Sequence, residues 1–130
     1  MEDSPKSKNR RRAERLDVAF TLIYGVEKPY ALRVSLGLAD DIDALMLDLS
    51  VLGMAMTTKF DLPKGTQLQI KFNFMNLFLA GQERSRRMEI IGEVVSHAEL
   101  SSGNYRIGIC FKQIQEADKE AIRKFIKRSK

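Results

Sequence analysis

Gln67-Leu68-Gln69-Ile70-Lys71-Phe72-Asn73-Phe74 alternates polar and apolar side chains without a break. Period two places every second residue on one face of an extended strand, so this octapeptide predicts a strand with one buried face. Asp17–Tyr24 reads the same way, with Val18, Phe20, Leu22 and Tyr24 on one side and Asp17, Ala19 and Thr21 on the other. Working outward, Tyr30–Leu38, Leu45–Leu49, Gly53–Thr58, Met88–Ser96 and Asn104–Lys112 are short apolar runs of strand length. Turn signals such as Pro63-Lys64-Gly65 and Ser101-Ser102-Gly103-Asn104 separate several of them. Asn76–Arg87 fits neither period and reads as a loop with one helical turn. The period changes after residue 115: Ala117, Ala121, Ile122, Phe125 and Ile126 recur at helical spacing. Acidic residues come first there and basic ones last, the order a helix dipole favours. The expected fold is mainly β, a six- to seven-stranded antiparallel β-barrel, Greek-key or meander, with a C-terminal α-helix over one end.

The chain has 130 residues, enough for one hydrophobic core, and a net charge of +5. Residues 1–15 hold six basic and three acidic side chains and residues 112–130 hold seven and three, which leaves nine bases against eleven acids in the body. The positive charge is terminal, which argues against a broad basic face for duplex nucleic acid and for a local anion site. Residues 1–15 lack apolar periodicity and read as a flexible basic segment ahead of a barrel unit at 16–130. The sequence shows no apolar stretch of membrane-spanning length and no apolar run behind its N-terminal charges, so the expected location is cytoplasmic. Cys110, the single cysteine, reads as core, and Met54 and Met56, alternating on a strand, as core packing. His97 is the single histidine. With no clustered carboxylates, nucleophile or metal-ligand spacing beside it, we expect no catalytic residues, no metal and no cofactor.

Two patterns carry chemistry. Arg11-Arg12-Ala13-Glu14-Arg15 sets two guanidiniums four residues apart on a mobile segment, where they can close on a ligand from two sides. Each fork suits phosphate oxygens or the O6/N7 edge of guanine. Asp48-Leu49-Ser50-Val51-Leu52-Gly53 lies where one strand should turn into the next. Asp48 and Ser50, two apart, would share one side of a strand end, and the carboxylate could accept from guanine N1 and N2. Gly53 permits a close approach. Each pattern alone is compatible with a solvated tail or an ordinary β-turn.

Taken together, the Arg-x-x-x-Arg motif at 11–15, the Asp-x-Ser-x-x-Gly motif at 48–53 and a closing pattern resemble the PilZ domain family of bacterial cyclic di-GMP receptors. The closing pattern is Ile91-Gly92-Glu93-Val94-Val95, then Tyr105-Arg106-Ile107-Gly108-Ile109-Cys110-Phe111, then a terminal helix. The resemblance implies a non-enzymatic receptor that holds the dinucleotide between its arginine segment and the Asp-x-Ser-x-x-Gly strand and signals by a change in its surface. It implies Arg11 and Arg15 on phosphate and guanine edges, Asp48, Ser50 and Gly53 lining the base pocket, and Arg12 as an auxiliary contact. Arg10 stands where the family's nucleotide stoichiometry is set. An unidentified protein partner in motility, adhesion or biofilm control is implied as well. Two other readings are a nucleotide-independent adaptor of the same fold and a single-stranded nucleic-acid-binding barrel. The intact arginine motif counts against the first, and Lys71-Phe72-Asn73-Phe74 is the one hint of interleaved bases and aromatics for the second.

Overall fold

The computed structural model describes residues 14–79 and 82–129, and of 74–79 and 82–86 the backbone only. The described residues form six strands: β1 (Leu16–Lys28), β2 (Ile42–Leu49), β3 (Gly53–Thr58), β4 (Gln67–Leu79), β5 (Gln82–Glu99) and β6 (Tyr105–Gln113). A short helix α1 (Tyr30–Ser35) follows β1, and α2 (Glu116–Arg128) ends the chain. All strand pairs are antiparallel, and the sheet closes as a barrel in the order β1-β2-β3-β6-β5-β4. Leu22, Tyr24, Met46, Met54, Met56, Leu68, Ile70, Met88, Ile90, Ile107 and Ile109 fill it. The alternation in β1, that in β4 as far as Asn73, and the core placement of Met54 and Met56 come out as the sequence predicts. Phe72 is buried too, at 4% exposure, so it offers no stacking platform to a single-stranded nucleic acid.

Helix α2 covers one barrel end with Ile122 and Ile126 buried and Phe125 tilted against Phe20, ring centroids 5.8 Å apart. Glu116 and Asp118 lie in its first turn and Lys127 and Arg128 in its last, the expected charge order. Asp118 is buried, whereas Ala117 is exposed.

Two expected elements differ. Tyr30–Leu38 is a helix and its cap instead of a strand. Leu32 and Leu36, four apart, pack on the core from one helical face. Gly37 and Leu38 then take positive φ (74° and 58°), with the Gly37 amide donating to the Val34 carbonyl and the Leu38 amide to that of Arg33, a left-handed stop. Arg33 ties the helix to the barrel through the Val26 carbonyl (2.9 Å) and Asp40 (3.1 Å). The approach is close, because a Cβ on Gly25 would stand 2.9 Å from the Asp40 backbone.

The described residues of Asn76–Arg87 are likewise strand and not loop. β4 and β5 continue as a ladder past the barrel, with Asn73 opposite Arg87, Asn76 opposite Arg84 and Leu79 opposite Gln82. Polar arginines disguise the strand, because pairing to a neighbour, and not composition, supplies its stability.

Candidate functional site

Asp48 sits where two irregularities of the ladder meet. From Met46 to Asp48, β2 advances two residues while β3 advances one, from Met56 to Ala55. On the other side, β1 advances three residues, Asp17 to Phe20, against two in β2. An extra residue in a strand inverts the side-chain parity beyond it. Met46 points into the core, strict alternation would send residue 48 inward, and instead Leu49 is the buried core residue. Asp48 is thereby turned to the outer face, opposite Ala55, which is opposite Gly108, which is opposite Ser96. These cross-strand neighbours form a row of small side chains beside the carboxylate. A second row, Leu45, Thr57, Arg106 and Ala98, runs next to it.

Both oxygens of Asp48 are taken by guanidiniums. Arg15 donates through Nη1 to Oδ1 at 3.2 Å, and Arg106 donates through Nη2 to Oδ2 at 3.3 Å. The Asp48 side chain is 10% exposed, against 56% for Arg15 and 45% for Arg106. A nearly covered carboxylate is therefore flanked by two half-exposed cations. The charge sum of this trio is positive, and each guanidinium keeps further N–H donors beyond the one engaged.

Ser50 and Gly53 do different work from Asp48. β2 ends at Leu49, so Ser50 is not the strand neighbour two residues on that the spacing suggested. Its buried hydroxyl accepts from the Leu52 and Gly53 amides, both at 3.2 Å, and donates to the Gly53 carbonyl at 3.3 Å. The Ser50 amide donates to that same carbonyl at 2.9 Å. Gly53 is required by packing: a Cβ there would lie 2.1 Å from the Ile109 carbonyl oxygen of β6. Serine and glycine thus lock the β2–β3 turn that fixes the height of Asp48 on the barrel wall.

The structure brings Arg15, Asp48, Ser50 and Gly53 to one place. Arg10, Arg11 and Arg12 lie outside the described residues. Arg106 is the residue at this place that sequence reasoning missed: in the sequence it stands only within the closing pattern. Its parity, outward between inward Tyr105 and Ile107, was legible, but its register opposite Thr57 was not.

Arg15, Asp48 and Arg106 line neither of two clefts in the barrel surface. One cleft of about 430 Å³ lies elsewhere, where β1 and β4 splay apart around Phe20, Lys71 and Arg87. Another, of about 680 Å³, touches the β2–β3 turn through Val51 and Leu52. His97 is a surface residue whose Nδ1 lies 2.8 Å from Asp61, and Cys110 is half-buried on the outer side, not in the core. No cluster of metal-ligating side chains occurs among the described residues. Nor is any described helix long and apolar enough to cross a membrane.

The PilZ domain family model matches residues 9–128, which is nearly the whole chain. The chain belongs to the PilZ domain family. Among solved structures, this PilZ chain is similar to the Bacillus subtilis inhibitor of motility MotI/DgrA, with a TM-score of 0.69 and 18% identity over 92% of the chain. It is similar to Escherichia coli YcgR in complex with c-di-GMP (TM-score 0.57, 16% identity, 90% of the chain). A third likeness is to the K. pneumonia MrkH–c-di-GMP complex (0.52, 21%, 93%). The PilZ chain spans about half of each of these structures: 51%, 44% and 56% of their lengths. At such identities the likeness is one of fold. No curated protein sequence matches the chain.

Proposed function

We propose that this PilZ chain is a non-enzymatic receptor for cyclic di-GMP that binds the dinucleotide against the outer wall of the barrel beside Asp48. The observation that carries the reading is the ion pair between Arg15 and Asp48, which joins the two sequence motifs 33 residues apart. A ligand with two phosphates and two guanines presents anionic groups to arginine forks and N1–H and N2–H donors to a carboxylate. On binding, Arg15 exchanges Asp48 for phosphate oxygens or the O6/N7 edge of guanine, and Oδ1 of Asp48 is released to the base. Beyond Ala55, Gly108 and Ser96 leave a floor without bulky side chains on which a flat purine can lie. Arg11 closes from the other side, with Arg10 and Arg12 as auxiliary contacts, while Ser50 and Gly53 hold the turn at the pocket edge. Rearranging the arginine segment around the ligand changes the surface seen by a protein partner. Complexes of YcgR and MrkH with c-di-GMP support the ligand class, and the likeness to MotI, an inhibitor of motility, supports a link to motility. A cytoplasmic setting goes with this reading.

Calorimetric titration with cyclic di-GMP tests it, using wild type, the Arg11→Ala/Arg15→Ala double variant and Asp48→Ala. Wild type should bind and both variants should lose most of the affinity. Binding of a generic single-stranded oligonucleotide with steep salt dependence, and no response to the dinucleotide, would replace this reading by the nucleic-acid one. Binding of neither would leave the adaptor.

A further inference from the structure

Arg106 reaches Asp48 from two strands away. In the barrel order β3 lies between β2, which carries Asp48, and β6, which carries Arg106. Neighbouring strands stand roughly 4.8 Å apart, so the β2 and β6 backbones are about 10 Å apart, and the Arg106 and Asp48 side chains together bridge that span over β3 with a 3.3 Å contact. Ala55 sits under that path, directly between Asp48 and Gly108 in the ladder. It is 1% exposed although it alternates with the inward Met54 and Met56 and so faces outward. A methyl group at 55 and no side chain at 108 leave the space the guanidinium stem needs.

We propose that Arg106 is a ligand-contacting residue, presenting its remaining N–H donors, together with those of Arg15, to a phosphate of the bound cyclic dinucleotide. This rests on the receptor reading above. Donor count and position carry the argument. Arg106 engages one N–H with Oδ2 and stays half-exposed on the face where Asp48 stands, so the rest of its fork is open to a ligand there, while Asp17, opposite Asp48 in the ladder, brings a second carboxylate to that face. When Arg15 turns from Asp48 to the ligand, Arg106 still fixes Oδ2, so the carboxylate stays oriented with its other oxygen open. The same planar fork that grips Oδ2 keeps donors aimed outward, which an ammonium on a flexible stem does not. Arg106 is anchored within β6, paired on both sides, so it is in place before ligand arrives.

The experiment uses the intact chain and cyclic di-GMP, read by nitrogen-edited NMR of arginine Nε–H groups, with Arg106→Lys assigning the resonance, alongside calorimetry of Arg106→Ala and Arg106→Lys. The expected result is an Arg106 Nε–H signal that moves in step with saturation, and an affinity about tenfold weaker in Arg106→Ala, the scale of one charge-assisted hydrogen bond. Arg106→Lys should recover part of it. A static Arg106 signal while wild type saturates overturns the proposal and leaves the receptor reading standing, even if Arg106→Ala binds weakly, because the residue would then act only by holding Asp48. Absence of wild-type binding defeats the receptor reading itself. Thermal unfolding of Arg106→Ala separates lost contact from lost fold, and the wild-type NMR arm needs no variant to fold.

Discussion

The two arginines on Asp48 come from opposite kinds of backbone. Arg106 lies inside β6, with ladder partners in β3 and β5 on either side, whereas Arg15 precedes β1, outside the ladder. A residue within a closed sheet inherits the stability of the whole barrel. One beyond its end opens at little cost, since a half-exposed ion pair contributes at most about 1 kcal/mol in water. On the receptor reading proposed above, the contrast divides the site into a part that stays and a part that exchanges. Asp48, Arg106, Ala55 and the locked β2–β3 turn are built by folding. Arg15 is held to them by one contact at 3.2 Å, which is weak enough for a ligand to replace.

The harshest test attacks the built part. Gly53→Ala would force a methyl group against the Ile109 carbonyl, and backbone cannot rotate away as a side chain can. The expected loss is about 2–3 kcal/mol of stability, in the range for overpacked sites, together with dinucleotide affinity, because the turn carrying Asp48 must shift. Chemical denaturation and calorimetry on the same samples read both. Arg15→Ala should separate what Gly53→Ala joins: affinity falls at least about tenfold, while stability moves by no more than about 0.5 kcal/mol, as for other solvent-screened surface pairs. A large stability loss would mean that Arg15 belongs to the built part and that the division is wrong. Ala55→Leu sharpens the same line from the other side. A branched side chain in the path of Arg106 should push the guanidinium off Asp48 and weaken binding by several-fold, about 1 kcal/mol or somewhat more, with the barrel intact. Unchanged affinity would show that Arg106 does not need to cross at that point.

How much of this was legible in the sequence follows from the range of the forces involved. Strand alternation in β1 and β4 is local, and so is the helical period after residue 115, and both were readable. Tyr30–Leu38 deceived because a nonapeptide of apolar and β-branched residues satisfies strand composition. The decisive signals were Leu32 and Leu36 four apart and Gly37 as a stop, and these are weaker in isolation than in context. The β4–β5 extension was hidden because its arginines pair across strands, a long-range fact. The site was legible by motif and illegible by mechanism. The sequence named Asp48, Ser50 and Gly53 as one hexapeptide, yet bulges that no composition reveals turn Asp48 outward, and Ser50 and Gly53 serve the turn. Arg106 depended on register alone: nothing in Tyr105-Arg106-Ile107 says that its partner lies across β3.

The smallest expected effect probes the barrel interior. Tyr24 is fully buried, and its hydroxyl lies 2.8 Å from that of Thr58, so one oxygen donates to the other inside the core. Burial pushes the Tyr24 phenol above its ordinary 10.0, only partly offset by the Thr58 hydrogen bond. In the unfolded chain the phenol loses its proton near pH 10, while in the folded barrel it keeps it. Above pH 10 the unfolded state therefore binds fewer protons than the native state, and stability must fall with rising pH. Below that point the contribution is fully present and flat. Tyr24→Phe should cost about 1 kcal/mol at neutral pH through the lost hydrogen bond and the unpaired Thr58 hydroxyl. It should also remove this residue's share of the alkaline decline while leaving dinucleotide affinity unchanged. Denaturation midpoints at pH 7, 9 and 10.5 for both proteins decide it (pH steps of about 1.5–2 units span the transition). An equal alkaline slope in the two would place the titrating group elsewhere. A change in affinity would show that the interior and the outer face are coupled through β3, where Thr58 and Ala55 share one strand.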